Sequence, residues 1–170
     1  MSRTLLMPAA RVRRTLQRIA CEVIERNRGG DGLLVFGVRR RGVEVAARLA
    51  VALEEVAGRP FEVYALDVTA YRDDRPPGEA PEVIEKEPDV EGADALIVDD
   101  VLFTGRTARA AIDAVLARGR PRSIQLAALI DRGHREFPIQ PDYVGRVIPT
   151  KYGERVVVEI EGDLAVYLEE

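Results

Sequence analysis

A chain of 170 residues with net charge −4, one cysteine (Cys21) and one histidine (His134) has the length of a single domain, taken as residues 1–170. Those two single residues exclude a Cys/His metal cluster, and a nucleophile–histidine triad would rest entirely on His134. No apolar stretch is long enough to span a bilayer and no signal-peptide pattern opens the chain, so a soluble cytoplasmic protein without membrane contact is expected; the negative charge argues against indiscriminate polyanion binding but allows a local basic patch.

From Arg11 to Asn27, Leu16, Ile19, Ala20, Val23 and Ile24 form one apolar stripe, which predicts an amphipathic helix ended by Gly29-Gly30. Leu33 to Val38 reads as a buried strand, Val43 to Val56 as a helix and Phe61 to Asp67 as a second strand. Residues 68–92 hold Asp73-Asp74, Pro76-Pro77-Gly78 and Pro88, a composition expected of a flexible functional loop. Leu96 to Val98 reads as an interior strand, and Ala108, Ala111, Ile112, Val115 and Leu116 repeat at helical spacing directly after it. Ile124 to Ile130 makes a further strand, while Val156 to Ile160 and Leu164 to Leu168 predict a terminal β-hairpin. Strand–helix alternation with right-handed crossovers gives an α/β fold, with a central parallel sheet, helices on both faces and a C-terminal β-hairpin.

In such a sheet the loops after Val38, Asp67, Val98 and Ile130 converge on one edge, where α/β folds hold ligands. The run from Ala95 to Thr107 places Asp99, Asp100, Thr104, Gly105, Arg106 and Thr107 where a strand feeds a helix. A helix start offers unpaired N–H groups and a positive dipole end to an anion; Gly105 permits close approach, the two hydroxyls donate, and Arg106 is expected to add charge. Two carboxylates within ~4 Å repel by about 4 kcal/mol at an effective dielectric of 20, so Asp99 and Asp100 need sugar hydroxyls, Mg²⁺ or an arginine. Arg39-Arg40-Arg41-Gly42, also between a strand and a helix, suits a pyrophosphate. Tyr71-Arg72-Asp73-Asp74 is expected to close over a ligand as a lid. Asp131-Arg132-Gly133-His134 suits recognition of a planar base through main-chain groups better than general-base catalysis by His134.

The Val98–Thr107 string lacks the Gly-Lys-Ser/Thr ending of a Walker A loop and resembles the phosphoribosyl-pyrophosphate signature of type I phosphoribosyltransferases. The resemblance implies that Asp99 and Asp100 hold the ribose hydroxyls, that Thr104–Thr107 grip the 5′-phosphate, and that the loop from Val38 to Gly42, with Arg40 and Arg41 foremost, binds pyrophosphate. With Thr15 to Ala20, Tyr71 to Asp74, Ser123 to Ala127 and Asp131 to Ile139 added, the chain is similar over nearly its whole length to the pyrimidine-operon regulators that are also uracil phosphoribosyltransferases. Phe103 stands where similar purine enzymes carry an aspartate that assists at the purine N7, which points to a pyrimidine acceptor.

This resemblance implies catalysis by Asp99, Asp100, Arg40 and Arg41, with Val98, Val101, Leu102, Phe103, Arg39, Gly42, Tyr71, Arg72, Asp131 and Arg132 lining the substrate site. It implies Mg²⁺ bound with phosphoribosyl pyrophosphate, uracil as acceptor, UMP and UTP as ligands, and pyrimidine-operon leader mRNA as partner. Arg11, Arg14 and Arg18 share a helix face, and Arg26, Arg135 and Arg146 extend the expected RNA surface of a homodimer or homotetramer. Gln17, Cys21, Gln140 and Arg146 depart from the family pattern, within the RNA-associated part. A salvage enzyme without RNA binding, or a regulator with vestigial catalysis, are the alternative readings.

Overall fold

The computed structural model describes residues 1–74 and 87–170; part of the expected 68–92 loop, including Pro76-Pro77-Gly78, lies outside the described residues. The elements in order are β1 (Arg3–Met7), α1 (Ala9–Arg26), β2 (Leu34–Val38), α2 (Arg41–Ala57), β3 (Val63–Leu66), a 3₁₀ turn (Thr69–Tyr71), β4 (Asp94–Leu102), α3 (Arg106–Leu116), β5 (Ser123–Asp131), β6 (Tyr143–Val147), β7 (Arg155–Glu159) and β8 (Ala165–Glu169).

A five-stranded sheet runs in the order β3-β2-β4-β5-β6 with every pairing parallel. Its central strand β4 buries Ala95, Leu96, Ile97 and Val98 on both faces, hence the unbroken apolar run. Strand alternation divides these residues: Leu96 and Val98 pack with α1 and α2, while Ala95 and Ile97 pack with α3. Helices therefore cover both faces, as the sequence predicts. The expected terminal hairpin is present as β7 and β8, but it belongs to a separate antiparallel sheet of order β1-β8-β7, whose Met7, Val158, Leu164 and Val166 join the α1/α2 core.

Strands β1 and β6 have no counterpart in the sequence reading. Strand β1 is mostly exposed and exists through pairing with the far end of the chain, Arg3 against Glu169; β6 contains Gly145 and forms by parallel pairing with β5. The segment expected as a strand over Phe61–Asp67 contracts to Val63–Leu66, the residues that find partners in β2.

Strand order reverses between β2 and β4: the chain leaves β2 for β3 on one side and returns to β4 on the other. Such a reversal opens a crevice beyond the carboxyl ends of the two strands. Helix α2 starts there in close contact with β4. A Cβ on Gly42 would sit 2.8 Å from the Val98 carbonyl oxygen and 3.2 Å from Asp99 Oδ1. Gly42→Ala is therefore expected to force α2 off β4 at a cost of about 1–3 kcal/mol; thermal denaturation should show a Tm lower by about 2–4 °C per kcal/mol.

Candidate functional site

At the end of β4 the chain turns through Gly105, whose φ of 90° is left-handed, and starts α3 at Arg106. The Thr104 hydroxyl accepts from the Arg106 amide at 3.2 Å. The Thr104 carbonyl accepts from the amides of Glu136 and Phe137 at 2.8 and 3.1 Å, tying the turn to the loop after β5. A fixed turn with a glycine at its apex and a helix start behind it can hold a phosphate through main-chain donors and the hydroxyls of Thr104 and Thr107.

Beside this turn lies a cleft of 720 Å³, lined by Val38, Arg39, Arg40, Arg41, Arg72, Asp99, Asp100, Val101, Thr107 and Ile160. A second hollow of 300 Å³ shares Arg72, Asp99, Val101 and Thr107 with it and contains Leu102, Phe103, Thr104, Gly105 and Arg106. The strand-order reversal thus brings the arginine loop, the paired acids and the Thr-Gly-Arg-Thr turn around one space. Arg39, Arg40 and Arg41 are exposed, and among the described residues none of them is in an ion pair. The Arg39–Arg40 peptide bond is cis. Asp67, at the end of β3, is held below the usual carboxylate range by the Thr69 amide and, to a smaller extent, by the charge of Arg39.

Asp99 is buried, and its carboxylate accepts from the Asp100 amide at 2.9 Å. Burial, followed by the neighbouring Asp100 charge, pushes its carboxyl well above the ordinary range, against the opposing pull of that amide and of Arg72. The neutral form is favoured in the fold, whereas the unfolded carboxyl ionises near its reference value of about 3.9. Its stabilising contribution is complete below that value and is lost as pH rises through the raised folded value. Asp99→Asn, which cannot ionise, is expected to show a Tm advantage over the parent that grows as pH rises above the unfolded value of about 3.9; an advantage that shrinks with pH would contradict this account.

Arg106, expected to add charge at the turn, lines the second hollow and is itself ion-paired. Its guanidinium is turned away to Asp73 (2.7 Å) and Glu136 (2.8 Å) and lies over the Phe137 ring, 4.7 Å from its centroid. Arg72 does reach the turn: Nη1 donates to Thr107 Oγ1 at 2.8 Å, while Nε and Nη2 hold Asp74. Tyr71 precedes it in the 3₁₀ turn.

Beyond β5, Asp131 and Arg132 are both buried. Arg132 lies over the Phe103 ring, 4.0 Å from its centroid, and donates to Thr150 Oγ1 at 3.0 Å. His134 contacts the Thr150 carbonyl through Nε2 at 2.7 Å, and its ring meets Phe103 and Tyr152 edge-on. Phe103, His134 and the 71%-exposed Tyr152 thus form an aromatic group beside the turn. Tyr152 and Thr150 were not legible beside this turn: they carry no local motif and arrive through the strand order.

The arginines assigned to an RNA surface separate. Arg18 donates to the carbonyls of Val144 and Gly145, Arg26 pairs with Asp142, and Arg146 donates to the Leu6 carbonyl, which places them along the seam of α1 with the edge strand β6. Arg11 and Arg14 are exposed on the same helix and take part in no ion pair among the described residues. Arg135 is elsewhere: it holds Asp131 at 2.6 Å and the carbonyls of Phe103 and Ile139, beneath the Thr-Gly turn.

A family model described as the phosphoribosyl transferase domain matches residues 9–159. By structure, the hypoxanthine phosphoribosyltransferase of Trypanosoma cruzi superimposes with a TM-score of 0.74 at 21% identity, over 96% of this chain and 95% of that one, a likeness of fold. Among curated proteins, the bifunctional protein PyrR of Clostridium acetobutylicum is 47% identical, covering 89% of this chain and 86% of that protein. PyrR of Geobacter sulfurreducens is 48% identical (91% and 89% covered), and that of Bacillus subtilis 46% (88% and 86%). The chain belongs to the phosphoribosyltransferase family and, within it, to the bifunctional PyrR proteins. No helix among the described residues is long and apolar enough to cross a membrane.

Proposed function

We propose that the chain is a uracil phosphoribosyltransferase, converting uracil and phosphoribosyl pyrophosphate to UMP and pyrophosphate, and that it also binds pyrimidine-operon leader mRNA in response to uridine nucleotides. The observation that carries the enzymatic half is the pair of adjoining hollows, joined through Arg72, Asp99, Val101 and Thr107, that set the exposed arginine loop and Asp99-Asp100 beside the Thr104–Thr107 turn. In this reading Thr104, Gly105 and Thr107 with the first amides of α3 hold the 5′-phosphate, Asp99 and Asp100 receive the ribose hydroxyls, and Arg39, Arg40 and Arg41 receive the pyrophosphate across the cleft. Phe103, Arg132 and Tyr152 flank the base.

Uracil N1 bonds to C1′ as the bond from C1′ to the pyrophosphate oxygen breaks and the N1 proton is released. Positive charge develops on the ribose and negative charge on the leaving group, so Asp100 on one side and the arginines on the other act where charge forms. The protein's part is positioning and electrostatics. The carboxylate oxygens of Asp100, half-buried beside the cleft, suit a hard divalent cation, and Mg²⁺ held there with the pyrophosphate would neutralise charge on the leaving group.

The regulatory half is supported by the twofold role in the relatives' printed name and by the α1 surface, where Arg11 and Arg14 remain exposed beside Arg18, Arg26 and Arg146. A homodimer or homotetramer would present that surface more than once.

Purified protein with Mg²⁺ is expected to form UMP from uracil, and absence of UMP formation overturns the enzymatic half. Arg40→Ala and Arg41→Ala should each raise KM for phosphoribosyl pyrophosphate while leaving that for uracil nearly unchanged. In gel-shift titrations against the operon leader, UMP should tighten binding. Arg11→Ala/Arg14→Ala should weaken it and flatten the salt dependence by about 0.7 log units per lost phosphate contact, with UMP synthesis intact. A salvage enzyme would show no such binding, and a regulator with vestigial catalysis would show only the binding.

A further inference from the structure

Three consecutive residues at the start of the lid segment are each fastened to the first turn of α3. Arg109 Nη2 donates to the Tyr71 carbonyl at 3.0 Å, Arg72 donates to Thr107 Oγ1 at 2.8 Å, and Asp73 accepts from Arg106 Nη1 at 2.7 Å. Arg106 and Arg109, three residues apart, stand on one helix face and flank the Phe137 ring at 4.7 and 5.9 Å from its centroid. Arg106 and Thr107 belong to the expected phosphate turn, and Arg72 to the expected lid. Arg109 belongs to neither motif.

The setting of Arg109 is unusual for a residue that only packs. Nη1 pairs with Asp113 at 2.9 Å and Nη2 holds Tyr71, while the buried Nε has no hydrogen-bond partner among the described residues. A buried donor without an acceptor is unfavourable, so what the side chain gains lies in its two terminal nitrogens. One nitrogen is steadied by Asp113 from the next turn of the same helix; the other fixes the carbonyl immediately before Arg72. With that carbonyl held to α3, the Arg72 backbone starts close to the helix that carries Thr107, which lowers the entropy lost when its side chain meets the turn.

From this geometry we infer that Arg109 is a positioning residue that preorganises Arg72 against the phosphate-binding turn, so that the lid segment's cation is already in place when a 5′-phosphate arrives. This rests on the phosphate role proposed for Thr104–Thr107. Arg109 does not touch the ligand; its effect passes through Tyr71 to Arg72.

The test is a double-mutant cycle on UMP binding by calorimetry, with uridine, which lacks the phosphate, as the comparison ligand. Arg72→Met and Arg109→Met are each expected to weaken UMP binding about tenfold, the scale of one charge-assisted hydrogen bond, with uridine affinity unchanged. Because the second residue acts through the first, the double variant should bind UMP no more weakly than Arg72→Met alone. Arg109→Lys, which can still reach one carbonyl, should recover most of the loss. Thermal denaturation of each variant separates folding from function: a lower Tm for Arg109→Met with unchanged UMP affinity overturns the inference, as do losses that multiply in the double variant. Wild-type protein that binds no UMP overturns this inference together with the phosphate role, whereas UMP binding without UMP synthesis removes only the enzymatic reading.

Discussion

The close approach of α2 to β4 at Gly42 is the contact on which the site depends. A helix normally stands off a strand by the thickness of its side chains; here the absence of a Cβ lets the first turn of α2 rest against the Val98 carbonyl and the Asp99 carboxylate. The arginines before and within that turn are thereby carried to the cleft over the paired acids. Parallel pairing of β2 with β4 fixes the two strand ends in register, and the reversal of strand order leaves room above them. The opposition of cations and carboxylates across one cleft is thus a consequence of backbone packing.

Charge at the site is divided into committed and uncommitted groups. Arg72, Arg106 and Arg135 are paired with Asp74, Asp73 and Glu136, and Asp131, all supplied by the chain itself. Arg39, Arg40 and Arg41 are outside any ion pair among the described residues, and Asp99 is shielded from ionising by burial and by its neighbour. The Arg106 pairs join residue 73, the first turn of α3 and the loop after β5 into one framework around the Thr104–Thr107 turn. The three arginines line the open cleft together with Asp99 and Asp100. Such a division suits a reaction in which charge appears on both sides of a breaking bond.

The parts of the site legible in the sequence are those written locally. Asp99 to Thr107 lie on one strand–turn–helix unit, so their spacing alone sets which groups meet, and the apolar runs on either side identify the unit. Loop residues 39–42 were legible for the same reason. Long-range pairing was not legible: β1 needs Glu169 as a partner for Arg3, and β6 needs β5 beside it. The aromatic group of Phe103, His134 and Tyr152 draws on three separate loops, and Tyr152 carries no signal of its own.

The sequence by itself determined the parallel α/β core, the converging loops and the turn between β4 and α3 with its neighbouring acids, because hydrophobic period and turn chemistry act over a few residues. Only the tertiary structure decided how the arginines are used. Arg106 turns to Asp73 and Glu136, Arg135 to Asp131 beneath the turn, and Arg109 to the Tyr71 carbonyl, while Arg11 and Arg14 stay exposed. A guanidinium reaches several ångströms from its backbone and binds whichever carboxylate or carbonyl the fold brings near, and that neighbour is set by strand order rather than by position along the chain.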